Sequence, residues 1–66
     1  MEIRLNGEAR PLPGRQSVAA LLEQLELGGR RVAVERNGEI VPASRYGDEM
    51  LEPDDRIEIV HAIGGG

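Results

Sequence analysis

The sequence has no cysteine, lysine, tryptophan or phenylalanine, and only one histidine and one tyrosine. Each absence removes a class of chemistry. Without cysteine there is no disulfide staple, thiolate nucleophile, side-chain persulfide or cysteine-ligated metal. One histidine excludes a histidine-based metal cluster within one chain. Without lysine there is no Schiff base and no ε-amine on which an isopeptide chain could grow. Nucleic-acid binding calls for a cationic field and stacking rings, and a net charge of −4 with one aromatic residue supplies neither. No apolar run approaches the ~20 residues of a membrane span, and no basic-then-apolar leader opens the chain, so no membrane association and a cytoplasmic location are expected.

What remains is compact. A chain of 66 residues, 39% hydrophobic and 30% charged, reads as one small globular domain. At that size only about 60% of the unfolded surface is buried on folding, so no large substrate cavity is expected. Any catalytic set would have to come from Asp, Glu, Arg, Ser and Tyr, and no such set can be assigned. The uncommon reactive group is the C-terminal carboxylate on Gly66.

Glu2 to Asn6 alternates polar and apolar, as a half-buried strand does. Asn6-Gly7 is a strong two-residue hairpin signal, and Glu8 to Leu12 returns as a second strand. Pro11 and Pro13 place that strand at an edge. Ser17 is a good N-cap for a helix over Val18 to Leu27, with apolar residues at 18, 21, 22 and 25 and Gly28-Gly29 as its stop. Val32 to Asn37 is a third strand, with Val32 and Val34 inward. Asn37-Gly38 is a second turn and Glu39 to Val41 a short fourth strand. Ala43 to Met50 is weakly patterned: Ser44 could cap one helical turn, which Gly47 interrupts. Leu51 is expected to anchor this segment in the core. Glu52 to Asp55 is turn chemistry, and Arg56 to Ile63 alternates again, with Ile57 and Ile59 on one face and Val60 and Ala62 on the other.

This order predicts an α+β domain: a ubiquitin-like β-grasp in which a mixed sheet of about five strands packs on one main helix. The last strand is expected beside the first and parallel to it. Residues 1–63 form the domain and Gly64, Gly65 and Gly66 a flexible tail. A fold gains no stability from three terminal glycines. They are either a frayed end or a segment that enters a narrow site, reaching about 10 Å at ~3.3–3.6 Å per residue.

The whole chain resembles the ThiS family, the sulfur carriers of thiamin thiazole synthesis. The resemblance rests on Leu5-Asn6-Gly7-Glu8, Ser17 to Leu22, Val32-Ala33-Val34-Glu35, Asn37-Gly38-Glu39-Ile40-Val41-Pro42, and Asp55 through Gly66. The family often has Gly-Asp where this chain has Asp54-Asp55, which leaves that turn's type open. The resemblance implies a carrier rather than an enzyme. An E1-like, ThiF-type adenylyltransferase would activate Gly66 with ATP and Mg²⁺. A persulfide donor such as a cysteine desulfurase would convert it to a thiocarboxylate (a 1-thioglycine), and a ThiG-type thiazole synthase would receive the sulfur. ATP and magnesium then act on the activating partner, and this chain binds no cofactor of its own. Under this reading Gly64, Gly65 and Gly66 thread the partner's active site, where a Cβ would not fit. Related alternatives are the small subunit of molybdopterin synthase, a tRNA-thiolation carrier, or a ubiquitin-like modifier attached through its C-terminus. A plain interaction domain with an inert tail is the alternative from another class.

Val60, Ala62 and Ile63, expected beside outer-face Arg4 and Ala33, are the candidate docking patch, although scattered exposed apolar residues are also ordinary. His61 reads as a surface residue, and Glu23, Gln24 and Glu26 as a solvated helix face. Asp54-Asp55 reads as a turn rather than a metal site. Arg30-Arg31 fits either an acidic partner or the helix C-terminus.

Overall fold

The computed structural model describes residues 1–61. Its elements are β1 (Glu2–Leu5), β2 (Glu8–Pro11), α1 (Val18–Gln24), β3 (Val32–Arg36), β4 (Glu39–Val41), a short 3-10 helix (Ala43–Arg45) and β5 (Arg56–His61). The sheet order is β2-β1-β5-β3-β4. β5 therefore lies at the centre, parallel to β1 and antiparallel to β3. This is the β-grasp order that the pattern predicts.

Both hairpin turns follow from their dipeptides. Asn6 and Gly7 have φ of 51° and 85°, and Asn37 and Gly38 have 53° and 87°. Two successive positive φ values define a type I′ turn, whose twist matches that of the flanking strands. The helix buries Val18, Leu21 and Leu22 against Ile3, Val34, Ile57 and Ile59, with Leu12, Val41 and Leu51 completing the core. Leu51 is fully buried, as its anchoring role requires.

Two local features differ from the sequence reading. The helix stops at Gln24, short of Leu27, and the glycines do not stop it. Glu26 takes φ of 60°. Its N–H donates to the Glu23 carbonyl at 3.0 Å, and the Leu27 N–H donates to Leu22 at 2.8 Å. That bond pair is the Schellman motif, with a glutamate at the left-handed position where glycine is usual. The early stop lets Leu25 and Leu27 turn back onto the core. Arg30 and Arg31 consequently lie beyond the last helical turn, which holds no basic residue.

The second is the segment from Ala43 to Met50. Its one helical turn forms with Pro42, not Ser44, at the N-cap position. Val18 N–H donates to the Glu49 carbonyl and Ala19 N–H to Tyr46, each at 2.9 Å. Ala20 N–H donates to Ser17 Oγ at 3.1 Å, and Leu21 N–H to the Ser17 carbonyl at 3.1 Å. The segment thus supplies two of the acceptors that a helix N-terminus must find outside its own ladder, and the Ser17 hydroxyl a third.

Candidate functional site

The candidate site is the end of β5 and the sheet face beside it. Along β5 the alternation is clean: Ile57 and Ile59 are buried, while Arg56, Glu58 and Val60 are exposed. Val60 is 59% exposed, a large apolar side chain left to solvent. It lies opposite Ala33 across the β3–β5 ladder, and His61 lies opposite Val32. Ala33 is therefore the neighbour that the sequence suggests. Arg4 is not: it pairs with Arg56, four residues and about 13 Å of strand back from Val60. His61 ends the strand exposed. Ala62, Ile63, Gly64, Gly65 and Gly66 lie outside the described residues.

The helix-free face is graded along β5. Arg4 and Arg56 share its first row. Glu58 sits opposite Glu35 in the next, and Glu35 in turn opposes the exposed Ile40 on β4. Val60 and Ala33 form the row nearest the exit of the strand. Two carboxylates directly opposite one another on a sheet destabilise it. Their position between a basic row and an apolar row suits contact with a partner bearing a cation.

Both ends of β5 are fixed by side chains. At its start, Asp55 is 6% exposed. Its Oδ2 accepts from Arg36 Nε at 2.7 Å and from the Glu52 N–H at 2.8 Å, and its Oδ1 accepts from Asn37 Nδ2 at 3.0 Å. Arg36 also pairs with Glu49 at 2.9 Å. Burial opposes the charged form of Asp55, but the Glu52 N–H, the Asn37 amide and the Arg36 guanidinium outweigh it and hold the carboxyl below its ordinary pKa. The Glu49 carboxylate leads in raising the pKa of Arg36, against burial and with help from Asp55. Asp54, in the glycine position of the resemblance, takes φ of 69°, the left-handed geometry that a type II turn requires after Pro53. The Asp54-Asp55 pair is thus a turn residue and an ion-pair hub. Among the described residues no group of three or more His, Asp or Glu side chains is placed to hold a metal ion.

At the other end stands Asn6. Its Oδ1 accepts from the Ile59 N–H at 2.8 Å, and its Nδ2 donates to the Ile59 carbonyl at 3.3 Å. Sequence reasoning finds Asn6 only as a turn residue, because a contact 53 residues away leaves no local pattern. A groove of about 330 Å³ beside Arg36, Ile40, Arg45 and Glu49 lies at the far end of β3, away from His61.

The ThiS family model matches residues 3–66. The sulfur carrier protein ThiS of Escherichia coli is 32% identical over 66 residues that span both chains completely. A thiazole synthase of Paramagnetospirillum magneticum is 47% identical over the same 66 residues, which make up 20% of its length. The chain thus spans about a fifth of that relative. The crystal structure of the thiamine biosynthesis protein ThiS of Geobacter metallireducens superposes with a TM-score of 0.87 at 28% identity, with both chains fully covered.

Proposed function

The chain belongs to the ThiS family, and from that premise we propose that it is a sulfur carrier of thiamin biosynthesis, loaded at Gly66. A carboxylate is a poor electrophile. A Gly66 oxygen attacks the α-phosphorus of ATP on an E1-like adenylyltransferase, releasing pyrophosphate and leaving an acyl adenylate. The terminal sulfur of a donor persulfide, such as that of a cysteine desulfurase, displaces AMP. A thiol then cleaves the donor's S–S bond, supplying two electrons, and Gly66 is left as a thiocarboxylate. Its sulfur passes to a thiazole synthase. ATP, magnesium and the catalytic side chains belong to these partners, and the need for ATP favours a cytoplasmic carrier.

The observation that carries this reading is the placement of β5. The strand occupies the centre of the sheet, is held on both edges, and continues in sequence as Ala62-Ile63-Gly64-Gly65-Gly66. A rigid base followed by residues without Cβ atoms suits delivery of a terminal carbonyl into a narrow channel. Residues 1–63 serve as the grip, Gly64 to Gly66 as the inserted segment, and Val60 with Ala62 and Ile63 as the docking patch. Thiazole synthase is favoured as the acceptor because a segment similar to this chain forms part of the Paramagnetospirillum enzyme.

The test is intact mass after incubation with an E1-like adenylyltransferase, ATP, cysteine and a desulfurase. The expected result is a mass gain of one oxygen-to-sulfur exchange at Gly66. Deletion of Gly65 and Gly66 should abolish the gain and leave thermal unfolding unchanged. A truncated chain that still supports thiazole formation would overturn the proposal.

A further inference from the structure

The two edges of β5 are supported by different means. On the β3 side a backbone ladder runs the full distance, from Ile57 opposite Arg36 to His61 opposite Val32. On the β1 side the ladder is short. The Arg4 N–H donates to Asp55 and the Asn6 N–H to Ile57, at 2.8 and 2.9 Å, and then the chain leaves through the Asn6-Gly7 turn. In a parallel pair the bonds recur at every second residue, so Ile59 is the next on β5 to need a partner on this side. β1 has no backbone left to offer it.

We propose that Asn6 is a positioning residue for the chemistry at Gly66. Its side-chain amide takes the place of the missing strand. Oδ1 accepts from Ile59 N–H as a strand carbonyl would, and Nδ2 donates to the Ile59 carbonyl as a strand N–H would. An amide suits both demands because it carries one acceptor and one donor group side by side. The same residue sits at φ of 51°, a conformation that asparagine tolerates. One residue therefore turns the hairpin with its backbone and extends the parallel ladder with its side chain.

The extension matters because of where it falls. Ile59 is the last residue of β5 gripped from the β1 side by the contacts described, and Gly66 lies seven residues further on. With Asn6 in place, the base of the tail is held between two ladders. Without it, the strand beyond Ile57 hangs from β3 alone, and its end can pivot about that single edge from two residues further back. On the carrier reading, on which this inference rests, a pivoting base delivers the carboxylate to the ATP α-phosphorus less often after docking.

The variant that isolates the amide is Asn6→Gly, since glycine accepts the positive φ of the turn and removes only the side chain. Asn6→Asp keeps the acceptor for Ile59 N–H and loses the donor. Two measurements are needed: amide hydrogen exchange of the full chain, and steady-state pyrophosphate release with ATP and an E1-like adenylyltransferase. In Asn6→Gly the Ile59 amide should exchange at least about tenfold faster while the core amides of Val34 and Ile57 stay protected. The kcat for adenylation should fall about threefold to tenfold with KM within about twofold of the wild type, because docking is intact and alignment is lost. Asn6→Asp should fall between the two. A wild-type kcat in Asn6→Gly overturns the positioning role alone. So does a loss confined to KM, which is what a smaller folded fraction would produce. A wild-type chain that releases no pyrophosphate overturns the carrier reading, and the positioning role with it.

Discussion

Among the described residues, Glu26 departs furthest from local preference. A left-handed backbone costs a non-glycine residue about 1–2 kcal/mol, and glutamate lacks the short side chain that eases the cost for asparagine. Glu26→Gly should therefore stabilise the domain by about 0.5–1 kcal/mol after allowing for the extra freedom that glycine gains when unfolded. A shift of the urea midpoint to higher concentration at constant slope checks this, and an unchanged or lower midpoint refutes it. Nothing in the sequence marks Glu26, because the Schellman geometry is imposed by Leu25 and Leu27 turning toward the core. Asn6-Gly7 and Asn37-Gly38 are legible for the opposite reason, since their own conformational preferences set the turns. Asp55 is a second such residue. Its folded pKa is depressed, so its contribution is present above the ordinary carboxyl value and lost as pH falls through the folded value. Asp55→Asn at neutral pH leaves the partly buried Arg36 paired with Glu49 alone and should cost about 2 kcal/mol, the range for losing a hydrogen bond between charged groups. The gap between variant and wild type should narrow as pH falls below about 4. A gap constant from pH 7 to acid in chemical denaturation would remove the charge from the explanation.

At the scale of elements, the sheet and helix are legible because their signal lies in side-chain periodicity. The segment from Ala43 to Met50 is opaque because its service to the helix is performed by the carbonyls of Tyr46 and Glu49. Any residue type carries a carbonyl, so its composition leaves no trace of the role. β5 combines both kinds of information. Its alternation announces the buried Ile57 and Ile59 and the exposed Val60, whereas its anchors at Asp55 and Asn6 are contacts between distant parts of the chain. The exposed row supports a prediction on docking. Val60→Asp replaces an outward apolar side chain with a charge, removes nothing from the core, and adds a carboxylate to a face that already bears Glu35 and Glu58. Thermal unfolding should be unaltered. KM for the chain with an E1-like adenylyltransferase should rise about tenfold, the range for loss of one interface anchor, with kcat little changed. An unchanged KM would move the docking patch elsewhere on the fold.

The whole molecule adds charge to this geometry. Twelve acidic residues against eight arginines leave a net charge of −4. The facing pair Glu35 and Glu58 places part of that charge in the row next to Val60 and Ala33, where a partner would first be met. On the function proposed above, the chain would find an activating enzyme and an acceptor in turn and leave each of them. Long-range attraction suits that cycle, because it speeds encounter more than it strengthens the final contact. Attraction of this kind is screened, with a Debye length of about 10 Å at 0.1 M salt and about 3 Å at 1 M. Raising the salt from about 0.05 to 0.5 M should therefore lower kcat/KM for adenylation several-fold, through KM, while kcat holds. Glu35→Gln combined with Glu58→Gln should flatten that dependence and, by relieving the cross-strand repulsion, leave the fold no less stable. A salt response identical in the wild type and the double variant would place the steering charge outside this face, and no response at all would leave the apolar row at Val60 as the whole of the recognition.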